Sequence, residues 1–265
     1  MLQPWYAKLY KNEAYGPVKL KYSFSVETLP EGELILAAER PEYFRITLNG
    51  KELVHNEADG FWIDSCLKIL RIPAGYVKTG DNEIVAETEF RRTTNIESMY
   101  LIGRFGVKKG LYSSTLTTLP EKLGFGNMEE YSLPFYTGCV TYKLGKLRKP
   151  KDGEHVFISV PEYVGSLAKV TPSEDPNDPE KRIIGWDPFE ADVTDWVNEG
   201  RDIFVTLVCS RKNMFGPLHE IPAVTGAVGP GDFVTGGDRW SDEYVLMDSR
   251  IGKIKASWRK ITGEK

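Results

Sequence analysis

Three histidines, His55, His155 and His219, lie in unrelated contexts, and no two have the spacing of a metal site. There is no Gly-x-Ser-x-Gly elbow for a serine nucleophile and no glycine loop that would cradle a phosphate. A glycosidase needs only two carboxylates; Glu97, Glu129, Asp187 and Glu220 are conceivable, but nothing in the sequence brings two of them together. The residue types suit recognition better. A ligand with a flat C–H face and a rim of hydroxyls, such as a pyranose, needs aromatic platforms and fixed hydrogen-bond groups. Trp62, Trp186, Trp240 and Tyr244 supply the first; Arg211, Asn213, His219, Asp238 and Arg239 supply the second. Taken singly, each tryptophan belongs to a core more often than to a platform. Trp240, set among glycine and charged residues, is expected to be exposed, and Trp196 and Trp258 to be buried.

These residues need a scaffold, and the periodicity is that of strands. Residues 19–26 alternate apolar and polar side chains, and residues 33–36 and 44–48 follow between turn signals. Further strand-like runs occupy 84–90, 101–107, 140–144, 155–160, 202–209, 244–247 and 254–258. Asn49 and Gly50 suit a two-residue hairpin, in which both central positions take positive φ. Residues 171–182, rich in Pro, Asp and Glu, predict an exposed loop. Residues 192–200 predict one helical turn with Gly200 as its stop. The glycine-rich stretches 225–233 and 235–240 predict loops, where binding residues concentrate. No long amphipathic helix stands between the strands, which argues against a parallel α/β sheet or a barrel enzyme.

A pattern recurs. Gly-Phe-Trp-Ile-Asp at 60–64 precedes Gly-Asp-Asn-Glu-Ile-Val at 80–85, and Gly-Trp-Asp-Pro at 185–188 precedes Asp192 and then Gly-Arg-Asp-Ile at 200–203. Asp64 and Asp192 are short acceptors placed to satisfy turn amides. The pattern loosens between 108 and 130, which predicts two modules, 1–115 and 116–265. The fold expected is all-β, two tandem β-sandwiches.

Composition bounds the partners. The chain has 265 residues, 41% hydrophobic and 27% charged, as in a globular protein with its own cores. A net charge of −4 gives no reason to expect nucleic acid or an anionic membrane. The basic clusters 146–151 and 250–260 are short and read as solvated faces. No run approaches the roughly 18 apolar residues of a spanning helix, and residues 1–8 lack the features of a secretion signal. Cys66, Cys139 and Cys209 are odd in number and set in apolar runs, which predicts buried free thiols.

The order of a strand ending in Asn49-Gly50, an aspartate-led turn, a short apolar segment, then Gly-x-Asn-Glu-Ile-x-Val resembles the galactose-binding-like jelly roll. It is similar to the sugar-binding domain of family 2 glycoside hydrolases and to C-terminal accessory modules of large bacterial glycosidases. Residues 135–142 resemble the opening strand of such a module, residues 188–200 its aspartate-led turn, and residues 210–219 a segment near the C-terminal end of such enzymes. In the second copy the proline-rich loop stands where Asn-Gly would be. The resemblance implies a non-catalytic carbohydrate-binding protein, part of a larger glycoside hydrolase, whose partners are a polysaccharide or oligosaccharide and the parent chain's catalytic domain. A purely structural module bracing that domain and a stand-alone β-sandwich hydrolase are the alternatives. Related modules often carry a structural calcium; the acidic loop 174–180 has oxygens but no calcium-loop motif, so no cofactor is expected. An extracellular or periplasmic setting would follow from such a parent enzyme.

Overall fold

Side-chain alternation makes the first strand a divider. In β1 (Ala14–Val26), Val18, Leu20, Tyr22 and Phe24 turn inward while Lys19, Lys21 and Ser23 face water. The computed structural model describes residues 12–111 and 113–261, so residues 1–8 lie outside it. The chain divides into two units, Met1–Pro120 and Glu121–Lys265. Among the described residues no helix is long and apolar enough to cross a membrane.

The remaining strands of the first unit are β2 (Glu31–Glu39), β3 (Arg45–Leu48), β4 (Lys51–Leu53), β5 (Leu67–Ile72), β6 (Gly80–Arg91), β7 (Tyr100–Arg104), β8 (Gly106–Lys108) and β9 (Ser114–Thr117). They form one sheet in the order β4-β3-β6-β1-β9-β8 and a second in the order β5-β2-β7. Pairing is antiparallel except for β1 with β9. Leu36 and Leu70 from the small sheet and Ile46, Leu48 and Ile84 from the large one belong to a single apolar cluster. Burying each such side chain contributes about 1.5–3 kcal/mol.

The Asn-Gly hairpin joins β3 to β4, with φ of 51° at Asn49 and 76° at Gly50. Asn49 does more than turn the chain. Its amide donates to the Tyr76 carbonyl and to Asn82 Oδ1, both at 2.8 Å, and its oxygen accepts from Glu83 N–H. The run 101–107 is not one strand, because it breaks at Phe105 and sends β7 and β8 to different sheets.

In the second unit the elements are β10 (Gly126–Asn127), β11 (Cys139–Lys146), β12 (Glu154–Ser159), β13 (Tyr163–Val164), β14 (Leu167–Thr171), β15 (Arg182–Ile184), β16 (Glu190–Asp192), α1 (Thr194–Asn198), β17 (Asp202–Val208), α2 (Lys212–Phe215), β18 (Arg250–Ile251) and β19 (Lys255–Lys260). Three sheets run β11-β17-β14-β15, β16-β12-β19 and β10-β18-β13. Helix α1 packs on both β12 and β17. Its Trp196 is 1% exposed, with Arg182 over the ring at 3.9 Å. Gly200, at φ 75°, ends the turn.

The two units repeat one strand order. In chain order β1, β2, β3, β4, β5, β6 and β7 correspond to β11, β12, β14, β15, β16, β17 and β19. Under that correspondence β4-β3-β6-β1 maps onto β15-β14-β17-β11, and β5-β2-β7 onto β16-β12-β19. The proline-rich loop replaces the Asn-Gly turn between the corresponding hairpin strands. It is pinned rather than loose: Lys169 Nζ donates to the Pro176 carbonyl at 2.8 Å, and Arg201 pairs with Glu180 at 2.9 Å. Asp64 and Asp192 each accept from the amide two residues on, that of Cys66 and that of Thr194.

Three further expectations need correction. Residues 244–247 form no strand, because their backbone groups go elsewhere: Val245 N–H to the Leu218 carbonyl, and Met247 N–H and C=O to the Asn213 side chain. Of the cysteines only Cys209 is buried; Cys139 is half-buried, and Cys66 is exposed in the turn before β5. Trp258 is half-buried, its ring lying under Arg148 at 4.7 Å.

Candidate functional site

Where the first unit joins β6 to β7 through residues 92–99, the second joins β17 to β19 through residues 209–254. That excursion holds Arg211, Asn213, His219, Asp238, Arg239, Trp240 and Tyr244. Backbone hydrogen bonds lace its two arms together: Val245 N–H to the Leu218 carbonyl at 2.7 Å, Ser241 N–H to His219 at 2.9 Å, and Ile221 N–H to Arg239 at 2.9 Å. Glu220 and Trp240 face each other across this lacing as an antiparallel bridge.

The lacing sets His219 against the opposite arm. Its ring stacks on Trp240, with centroids 4.7 Å apart and planes 17° from parallel, and meets Tyr244 at 5.1 Å. Phe135 approaches Tyr244 edge-on at 5.5 Å. His219 Nδ1 lies 2.8 Å from the Ser241 carbonyl. A carbonyl only accepts, so Nδ1 carries the proton and Nε2 of the neutral ring is the acceptor. Trp240 Nε1–H donates to Asp242 Oδ1 at 2.9 Å. His219, Trp240 and Tyr244 are all half-buried.

Within the same lacing, Glu220 is 3% exposed. Its Oε1 forms an ion pair with Arg239 Nη2, and its Oε2 has no hydrogen-bond partner among the described residues. Asp232 Oδ1 lies 3.7 Å from the same Arg239 nitrogen, while Asp232 Oδ2 accepts from Gly229 N–H at 2.7 Å. Arg239 is otherwise open, its side chain 54% exposed. Lys212 Nζ donates to the carbonyls of Val224 and Gly226, tying the glycine-rich loop to α2.

Of the residues expected to meet a ligand, His219, Trp240 and Tyr244 come together, and exposed Asp238 and Arg239 directly precede Trp240 in the chain. Asn213 is spent on structure: it is buried, donates to the carbonyls of Pro134 and Met247, and accepts from Met247 N–H. Arg211 is exposed at the start of α2. Trp62 belongs to the first unit and leans on Tyr100 at 5.8 Å. Trp186, just past β15, is 69% exposed. Trp240 departs from expectation: it is half-buried with His219 stacked on it, and among the described tryptophans it is Trp186 that is open.

Glu97, Glu129 and Asp187 are exposed, and Glu220 alone of those four carboxylates is buried. The roles of Phe135, Asp242 and Glu220 in the cluster carried no sequence signal, since each depends on how the excursion folds back. Among the described residues no three His, Cys, Asp or Glu side chains gather to hold a metal. In the loop 174–180, Asp175 and Asp178 accept from the amides of Asn177 and Glu180, and Glu180 pairs with Arg201. Comparisons with protein-family models, curated proteins and solved structures returned no match for the chain.

Proposed function

We propose that this chain is a non-catalytic carbohydrate-binding protein, two tandem galactose-binding-like jelly-roll modules forming the accessory part of a larger glycoside hydrolase. In this reading the second module holds a polysaccharide or oligosaccharide on its long excursion. The observation that carries it is the His219–Trp240–Tyr244 cluster, built on an insertion absent from the matching place in the first unit. Half-covered rings suit a pyranose, because rings held by their neighbours still keep surface on which a sugar can pack. His219 Nε2 offers an acceptor and Arg239 offers donors for hydroxyls at the ring edge. The repeated strand order supports the tandem architecture, and function on such a scaffold belongs to the loops grafted on it.

Trp186 and Ile183, 69% and 43% exposed, favour a second reading in which that end of the second unit docks on a catalytic domain. Affinity electrophoresis through a panel of polysaccharides separates the two. Trp240→Ala is expected to lower retention at least tenfold, the loss of roughly 1.4 kcal/mol or more of stacking and burial, with the unfolding midpoint little changed. Retention lost on Trp186→Ala and kept on Trp240→Ala would move the platform to Trp186. If no polysaccharide retains the wild type, the docking reading stands instead.

A further inference from the structure

We infer that Asn49 is a site of spontaneous deamidation which the folded first unit holds shut, and that the modified chain cannot rebuild the same turn. Asn49 is the only asparagine in the chain that is followed by glycine. Glycine leaves the next backbone nitrogen unshielded: Gly50 is exposed, and no atom lies within 4 Å of where its Cβ would stand. Once the asparagine side chain is free, the Gly50 nitrogen gives up its proton and attacks Asn49 Cγ. The new N–Cγ bond closes a succinimide ring as the Cγ–Nδ2 bond breaks, and the side-chain nitrogen leaves as ammonia. Water then opens the ring at either carbonyl and gives aspartate or isoaspartate, with no change of oxidation state.

The fold withholds the first step. The Asn49 side chain is held by three hydrogen bonds, to the Tyr76 carbonyl, to Asn82 Oδ1 and from Glu83 N–H, and these must break before Cγ can meet Gly50. Its backbone N–H is fixed as well, donating to the Glu83 carbonyl at 2.9 Å. The same contacts reject the product. An ionised carboxylate only accepts, so it would face two acceptors where the amide donated. Asn82 cannot turn its own amide to help. It is 3% exposed, its nitrogen donates to the carbonyls of Lys78 and Gly80, and its oxygen also accepts from Lys78 N–H. Isoaspartate adds a backbone carbon to a two-residue turn and breaks the register in which Leu48 faces Lys51. The second unit has no Asn-Gly and so no such site.

The test ages the full chain in mildly alkaline buffer, with and without denaturing urea, and follows residue 49 by peptide mapping. Conversion of Asn49 to aspartate and isoaspartate is expected to be at least tenfold faster in urea, because the folded chain reacts only through its rare openings. The modified fraction, separated by charge and returned to buffer, is expected to unfold at a lower urea concentration than wild type, and so is Asn49→Asp made directly. The rates on wild type need no variant to fold. Conversion at an equal rate in the folded chain, or none at residue 49 in urea, overturns the inference. A modified fraction or an Asn49→Asp chain that keeps the wild-type midpoint overturns it too.

Discussion

Asn213 is a residue whose chemistry looked like recognition and whose geometry is that of a clamp. Its amide and carbonyl join the start of the excursion to residue 134 and to residue 247, so it holds in register the arm that carries Trp240 and Tyr244. Replacing it by alanine leaves buried backbone groups without partners. Asn213→Ala is expected to cost about 2–3 kcal/mol in urea unfolding and to weaken glycan binding without any contact to the glycan having been removed. An unchanged unfolding midpoint would show that the clamp is dispensable. Cys66 makes a similar point about reading residues from type alone. Although exposed, its thiol is pushed up to about 12 by burial of the sulfur and by the carboxylates of Asp64 and Glu39, so it stays protonated and unreactive near neutral pH.

At the scale of elements, the pieces legible in the sequence were those determined by neighbours in the chain. Asn49 and Gly50 named their own turn, Gly200 ended its helix, and Asp64 and Asp192 capped the turns beside them. What the sequence hid was set from far away. Residues 244–247 have a strand's composition, yet Asn213 and Leu218 take their hydrogen bonds; residues 101–107 look continuous, yet Phe105 divides them between two sheets. The candidate site followed the same division. His219, Trp240, Tyr244 and Arg239 were recognisable as suitable types, while the stacking of His219 on Trp240 and the pairing of Glu220 with Arg239 depend on two arms meeting. The turn from β16 into α1 gives a pH test. Burial raises the Asp192 carboxyl, but hydrogen bonds from Thr194 and His155 outweigh that and hold it below the usual range. Its stabilisation is therefore present above the ordinary aspartate value of about 3.9 and is lost as pH falls through the lower folded value. The stability gap between wild type and Asp192→Asn should be widest at about pH 5–7 and narrow below about pH 4. A gap independent of pH would mean that the carboxylate's charge does not matter there.

At the scale of the whole molecule, one strand order is used twice and then made unequal. The first unit closes its β6-to-β7 connection with residues 92–99, and the second opens the corresponding connection into residues 209–254. The second also trades the Asn-Gly hairpin for a pinned proline-rich loop. Repetition accounts for the scaffold; the departure from it accounts for the place where rings and charges gather. The claim is tested most directly by hydrogen–deuterium exchange of the full chain, with and without the tightest ligand from a glycan array. Slowed exchange is expected in residues 211–221 and 238–247, with residues 92–99 unchanged. Protection confined to the first unit, or a chain to which no arrayed glycan binds, would contradict it.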